Sequence, residues 1–182
     1  MEMKRCCLRH PYLSVKTQDG LSFGGSQNWC SSRIMRKYGC GVVGMGDVLL
    51  YLGLHRLPCS TELQHGLLRE DGTLSYPRYE RYLRILRRRY LGIIPGFGIP
   101  GFLVPAAMNR YFRRYKINLR SKWCVSQGKL YPRIEDSLAR DIPVILSIGQ
   151  NLPFWGRHRL RLYRQENGEY LPALEVKAHF VV

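Results

Sequence analysis

The sequence predicts an α+β chain, helical through its first two thirds and closing in an antiparallel sheet. Three observations carry that reading. Tyr79, Tyr82, Leu83, Leu86 and Tyr90 recur at helical spacing, while Arg78, Arg81, Arg84 and Arg88 fall off that stripe. Val42–Leu54 is apolar almost all round, as a helix buried in a core must be. After Pro143 the pattern changes to short apolar runs, with Asn167-Gly168 between two of them as a hairpin-turn signal.

With 182 residues, 45% of them hydrophobic and 23% charged, the chain is long enough for one well-buried core and too apolar for disorder. The formal net charge of +16 calls for something anionic: nucleic acid, an anionic membrane surface or an acidic partner. The six cysteines, Cys6, Cys7, Cys30, Cys40, Cys59 and Cys124, form no Cys-x-x-Cys pair and no zinc spacing. They read as reduced thiols of a cytoplasmic protein. Met1–Tyr12 is basic and polar without an apolar run, so no secretory signal is visible.

Residues 1–20 read as an N-terminal arm or a first short strand. Leu21–Ser32 is a glycine- and serine-rich loop carrying Gln27 and Trp29, and Ser31-Ser32 can cap a turn through Arg33–Lys37. In Tyr38-Gly39-Cys40-Gly41 a cysteine stands between two glycines, where the chain can turn sharply and be approached closely. A helix starting just after Cys40 sets the thiol at its positive end, which favours thiolate and lowers the thiol pKa. Gly44 and Gly46 each cost that helix up to about 1 kcal/mol and invite a close neighbour.

Arg56–Tyr76 is connecting chain, with a helical possibility at Thr61–Arg69. Arg78–Tyr90 is a surface helix with a basic, solvated outer face. Leu91–Met108 has no charge, but Pro95, Pro100 and Pro105 rule out a continuous helix. Its near-repeat, Ile94-Pro95-Gly96-Phe97 and Ile99-Pro100-Gly101-Phe102, reads as two turns of an apolar loop over the core or along a substrate groove. Pro105–Tyr115 follows as a helix burying Ala107, Met108, Tyr111, Phe112 and Tyr115, and Leu130–Arg140 as another. Asp141 leads into the strand Pro143–Ile148. Leu160–Tyr163 and Glu169–Leu174 are strands, and Val176–Val182 is the last.

His179 lies in that last strand, and its distance along the chain from Cys40 falls within the roughly 130–150 residues typical between papain-type nucleophile and base. Gln27 can offer a side-chain amide to a developing oxyanion. Each residue also has a plain reading: Cys40 as a buried small hydrophobe, and His55 or His65, the other histidines weighed as bases, as exposed or capping residues. Taken in order, Gln27, Gly39-Cys40-Gly41, Pro143-Val144-Ile145 and His179-Phe180-Val181-Val182 resemble the papain-like cysteine peptidases, most closely the bacteriocin-processing, double-glycine-leader type and its bacterial relatives.

The resemblance covers roughly residues 21–182 and implies one peptidase-like domain. It implies a helical N-terminal half whose central nucleophile helix rests on a C-terminal antiparallel sheet. Cys40 would be the nucleophile, His179 the base and Gln27 an oxyanion donor, acting on a peptide or protein substrate with neither metal nor organic cofactor. In such enzymes an Asn or Asp on the following strand orients the histidine. Here the sequence stops three residues after His179, so a truncated and at best weakly active product is expected. The alternative is a catalytically inactive, peptidase-like basic binding module. Its arginine clusters, Arg87-Arg88-Arg89 and Arg113-Arg114, would face nucleic acid or, through Arg78–Arg114, an anionic membrane surface. The chain has no recognised nucleic-acid motif and its aromatics fall mainly on faces expected to be buried, so a nucleic-acid partner is not expected.

Overall fold

The computed structural model describes residues 6–69, 71–96, 98–124, 127–149, 160–166, 168–176 and 178–182. It is a mixed α+β structure. In chain order come β1 (Ser14–Thr17), β2 (Gly20–Phe23), α1 (Arg33–Tyr38), α2 (Cys40–His55), β3 (Leu74–Ser75), α3 (Tyr76–Arg89), α4 (Leu103–Arg114), α5 (Leu130–Ala139), β4 (Leu146–Gly149), β5 (Leu160–Glu166), β6 (Glu169–Val176) and β7 (Ala178–Val181). β1 pairs antiparallel with β2 and parallel with β3. β4 pairs antiparallel with β7, and β5 antiparallel with β6.

α2 is the axis of the core. Every residue from Gly41 to Leu52 is buried, because α3, α4 and β7 cover it on different sides. Approach on the α3 side depends on Gly46: a Cβ there would stand 2.5 Å from Leu83 Cδ2. The α3 stripe is buried as its spacing predicts, with Tyr79, Tyr82 and Leu83 each 1% exposed. α4 buries Ala107, Met108, Tyr111 and Phe112.

Hydrogen bonds among polar groups finish this core. Thr61 and Gln64 close a capping box on a short 3-10 turn at Glu62–Gln64, and Gln64 Nε2 donates to Leu49 O at 2.7 Å. That single turn is all the helix that forms in Thr61–Arg69. At the far end of α2, Asp141 accepts from Tyr51 Oη at 2.5 Å and Arg9 N at 2.7 Å, and its Oδ2 lies 2.5 Å from His10 Nδ1. Asp141 holds a left-handed backbone (φ 60°) to present its carboxylate there.

Other differences from the sequence reading have local causes. Of the two readings open for residues 1–20, Ser14–Thr17 takes the strand, with Val15 fully buried. α4 begins two residues before Pro105, which is tolerated because first-turn amides lack helical partners in any case. The C-terminal strands form two separate pairs among the described residues, β4 with β7 and β5 with β6, where one sheet was expected. β5 and β6 run longer than their apolar runs, because the hairpin ladder carries polar residues out to Glu166 and Glu169. Gly168 supplies the positive φ (88°) of that hairpin. Phe97, Asn167 and Lys177, which figured in the sequence reading, lie outside the described residues. No helix among the described residues is long and apolar enough to cross a membrane.

Candidate active site

Cys40 is the first residue of α2, with Gly39 as its cap. The backbone there is crowded: a Cβ on Gly41 would lie 3.2 Å from Ile99 Cδ1 and 3.2 Å from the Phe180 ring. The second turn of the proline-glycine loop therefore does reach the start of α2, with Ile99 buried against it. On the other side lies β7, whose Phe180 N–H is near enough to the Cys40 sulfur to favour thiolate.

His179 is the residue immediately before that amide, so its backbone lies beside the α2–β7 contact, while Phe180 and Val182 face Gly41 and Gly44 of α2 and strand alternation turns the His179 side chain to the other face of β7. His179 is partly buried and pairs in register with Ile148 of β4. No hydrogen bond joins the Cys40 thiol to the His179 ring among the described residues.

The electrostatics of the pair differ from what the helix start alone implies. The N–H groups of Phe180, Gly41 and Cys40 all favour thiolate, yet burial outweighs them and raises the thiol above its ordinary 9.0. Burial likewise lowers His179 below its ordinary 6.5. Both shifts favour the uncharged form, so at neutral pH the resting pair is thiol and neutral imidazole. The expected lowering of the Cys40 pKa is thus overturned by desolvation.

Gln27 opens a one-turn 3-10 segment, Gln27–Trp29, capped by Ser26. Its Oε1 is buried with no hydrogen-bond partner among the described residues. No hydrogen bond ties Gln27 to Cys40 there either. What holds this segment to α2 is a residue sequence reasoning passed over. Asp47 lies two turns along α2 from Cys40. Its Oδ2 accepts from Gly25 N at 2.9 Å and its Oδ1 from Tyr79 Oη at 2.6 Å. A Cβ on Gly25 would lie 1.9 Å from Tyr79 Oη, so only glycine lets the loop come this close.

Asp47 is 4% exposed, and burial pushes its pKa up to about 6 against the pull of those two hydrogen bonds. The signal was present: Asp47 is the sole charged residue in an apolar run of α2, where an acid must find donors or leave the core. The other described histidines stand elsewhere. His55 is at the opposite end of α2, about 22 Å along the helix, stacked on His10 with ring centroids 4.5 Å apart. His65 is exposed.

No protein-family model matches this chain, and no curated protein or solved structure matches it either. All six cysteines are free thiols. Among the described residues, no group of three or more His, Cys, Asp or Glu is arranged to hold a metal ion.

Proposed function

We propose that the chain is a papain-like cysteine peptidase or a related thiol amide hydrolase, with Cys40 as nucleophile and His179 as its base. The observation that carries this reading is the meeting of Cys40, at the start of a buried helix, with the strand bearing His179. In the reaction, His179 takes the thiol proton as sulfur bonds to the carbonyl carbon of the substrate. The oxyanion is held by the Cys40 N–H and the Gln27 amide. Collapse breaks the C–N bond, His179 returns the proton to the departing amine, and water then hydrolyses the thioester. The neutral pair fits base-assisted attack rather than a pre-formed thiolate. The free thiols fit a cytoplasmic compartment.

The test is cleavage of a mixed peptide library followed by mass spectrometry, with intact-mass detection of an acyl adduct. Cys40→Ala should abolish both cleavage and adduct, and Gln27→Ala should reduce turnover about 10²- to 10³-fold. Cleavage that survives Cys40→Ala overturns the proposal. A second reading is favoured by the missing thiol–imidazole hydrogen bond and the charge of +16: an inactive, peptidase-like basic module. Absence of any cleavage or adduct in the wild type selects it.

A further inference from the structure

A shallow, open groove that shares no residue with the Cys40 site lies between α4, the segment 120–123 and α5, with a volume of about 570 Å³. That volume suits a single nucleotide-sized ligand. Its walls carry Arg120, Lys122 and Arg133, together with the indole of Trp123, and no carboxylate among the described residues. None of these three cations has an ion-pair partner among the described residues.

The groove is held in shape from behind. Asn109 Nδ2 donates to Ser121 O at 2.8 Å and Ser121 N donates to Asn109 Oδ1 at 2.8 Å. This two-way bond fixes the 120–123 segment against α4 whether or not anything is bound. Asn109 is followed one helical turn later by exposed Arg113, which continues the cationic track along α4.

We propose that this groove binds single-stranded nucleic acid, with one base stacked on Trp123 and its flanking phosphates on Arg120, Lys122 and Arg133. Cations alone would suit any polyanion, and the ring is what narrows the choice. Alternating base and phosphate is the ligand chemistry that uses an aromatic face and several cations together. A duplex keeps its bases stacked on each other and has none to offer the Trp123 ring. Trp123 is 36% exposed. Its ring is open to solvent beside the three cations, and the vesicle competitor below separates base stacking from insertion into a bilayer. The sequence pointed the other way because the aromatics on helical stripes are buried, whereas Trp123 lies on none of those stripes.

The experiment titrates the whole chain into fluorescein-labelled dT12, reading anisotropy at 50, 100 and 200 mM salt. Heparin and vesicles of phosphatidylcholine with phosphatidylserine serve as competitors. Wild type should bind, Trp123→Ala should weaken binding about 5- to 150-fold, and Trp123→Phe should restore most of it. Arg120→Gln should lower the magnitude of the log–log salt slope by about 0.7. Circular dichroism of each variant confirms that the fold is kept. The proposal is overturned by no binding of dT12 by wild type, by equal binding by Trp123→Ala, or by loss of vesicle binding in Trp123→Ala with dT12 binding unchanged. Heparin competing equally against wild type and Trp123→Ala likewise reduces the groove to a nonspecific anion surface and overturns it. Cleavage activity at Cys40 is read separately, so this result and the peptidase test stand or fall independently.

Discussion

Replacing Asp47 by asparagine should change how stability responds to pH, and the size of the change follows from the geometry. The carboxylate is almost fully buried, and its pKa rises from 3.8 to about 6. Between those values the unfolded chain has released its proton while the folded chain still holds it, so the native state binds more protons. Stability therefore falls as pH rises through this window. At 1.36 kcal/mol per pH unit, the loss amounts to about 3 kcal/mol by neutral pH. The substituted carboxamide resembles protonated Asp47: its oxygen can accept from Gly25 N, and its amide nitrogen can donate to a rotated Tyr79 hydroxyl. It does not titrate.

The variant and wild type should therefore unfold at similar urea concentrations at pH 4. By pH 7 Asp47→Asn should be the more stable, its midpoint higher by about 1–3 M for an ordinary urea slope. Tyr79→Phe removes a hydrogen bond that holds the Asp47 pKa down, so it should move the window upward. The assay is equilibrium unfolding followed by tryptophan fluorescence at pH 4, 5, 6 and 7. Other titrating groups cancel in the difference between proteins. A gap between wild type and Asp47→Asn that stays constant over this range, or grows in favour of wild type, refutes the reasoning.

Iodoacetamide labelling of Cys40 should be slow at pH 7 and rise steeply beyond pH 9, because less than about 1% of a thiol raised above 9.0 is ionised at neutral pH; peptide mapping that finds Cys40 labelled faster than exposed Cys7 at pH 7 contradicts this. Hydrolysis, once a substrate is found, should gain its kcat/KM through a step below pH 6.5, where His179 loses its proton, and a step above 7 would contradict the lowered imidazole. Asp141 is held well below the usual carboxylate range, its burial outweighed by bonds from Tyr51, His10 and Arg9. Its stabilisation is present above 3.8 and disappears as pH falls through the lowered value. Asp141→Ala should therefore cost about 2–4 kcal/mol at pH 7 by orphaning its donors, with a difference that shrinks only in strong acid; a difference already gone at pH 5 counts against it. Gly46→Ala gains up to about 1 kcal/mol of helix propensity but drives a methyl to 2.5 Å from Leu83, an overpacking cost of about 1–3 kcal/mol. Its melting temperature should fall, whereas Gly92→Ala, with nothing within 4 Å of the new Cβ, should be neutral.

What was legible in the sequence was the short-range part. The α3 stripe could be read because Tyr79 through Tyr90 repeat every three or four residues, a pattern that survives whatever covers it. α2 was legible because only a helix covered on every side tolerates Val42–Leu54. Pairing was not legible. Nothing near Val15 indicates that it lies beside Leu74 in parallel, and nothing in Phe180 says that its amide faces Cys40. The direction of the Cys40 shift was missed for the same reason, since helix position is local while burial is set by Ile99 and Phe180 arriving from far along the chain. Asp47 was visible as an odd residue, but Gly25 and Tyr79, which explain it, come from two other segments.

The contact between α2 and β7 has a consequence for how the molecule is made. At ordinary rates of translation, the ribosome finishes α2 on the order of ten seconds before β7 emerges. Through that interval, the surface of α2 that later lies under Phe180 has nothing to cover it. Helix α2, apolar on all sides, thus spends its first seconds as a target for hydrophobic capture. Slowed elongation downstream of α2 would lengthen that exposure, and synthesis of this chain should lean on co-translational chaperones more than its modest size suggests.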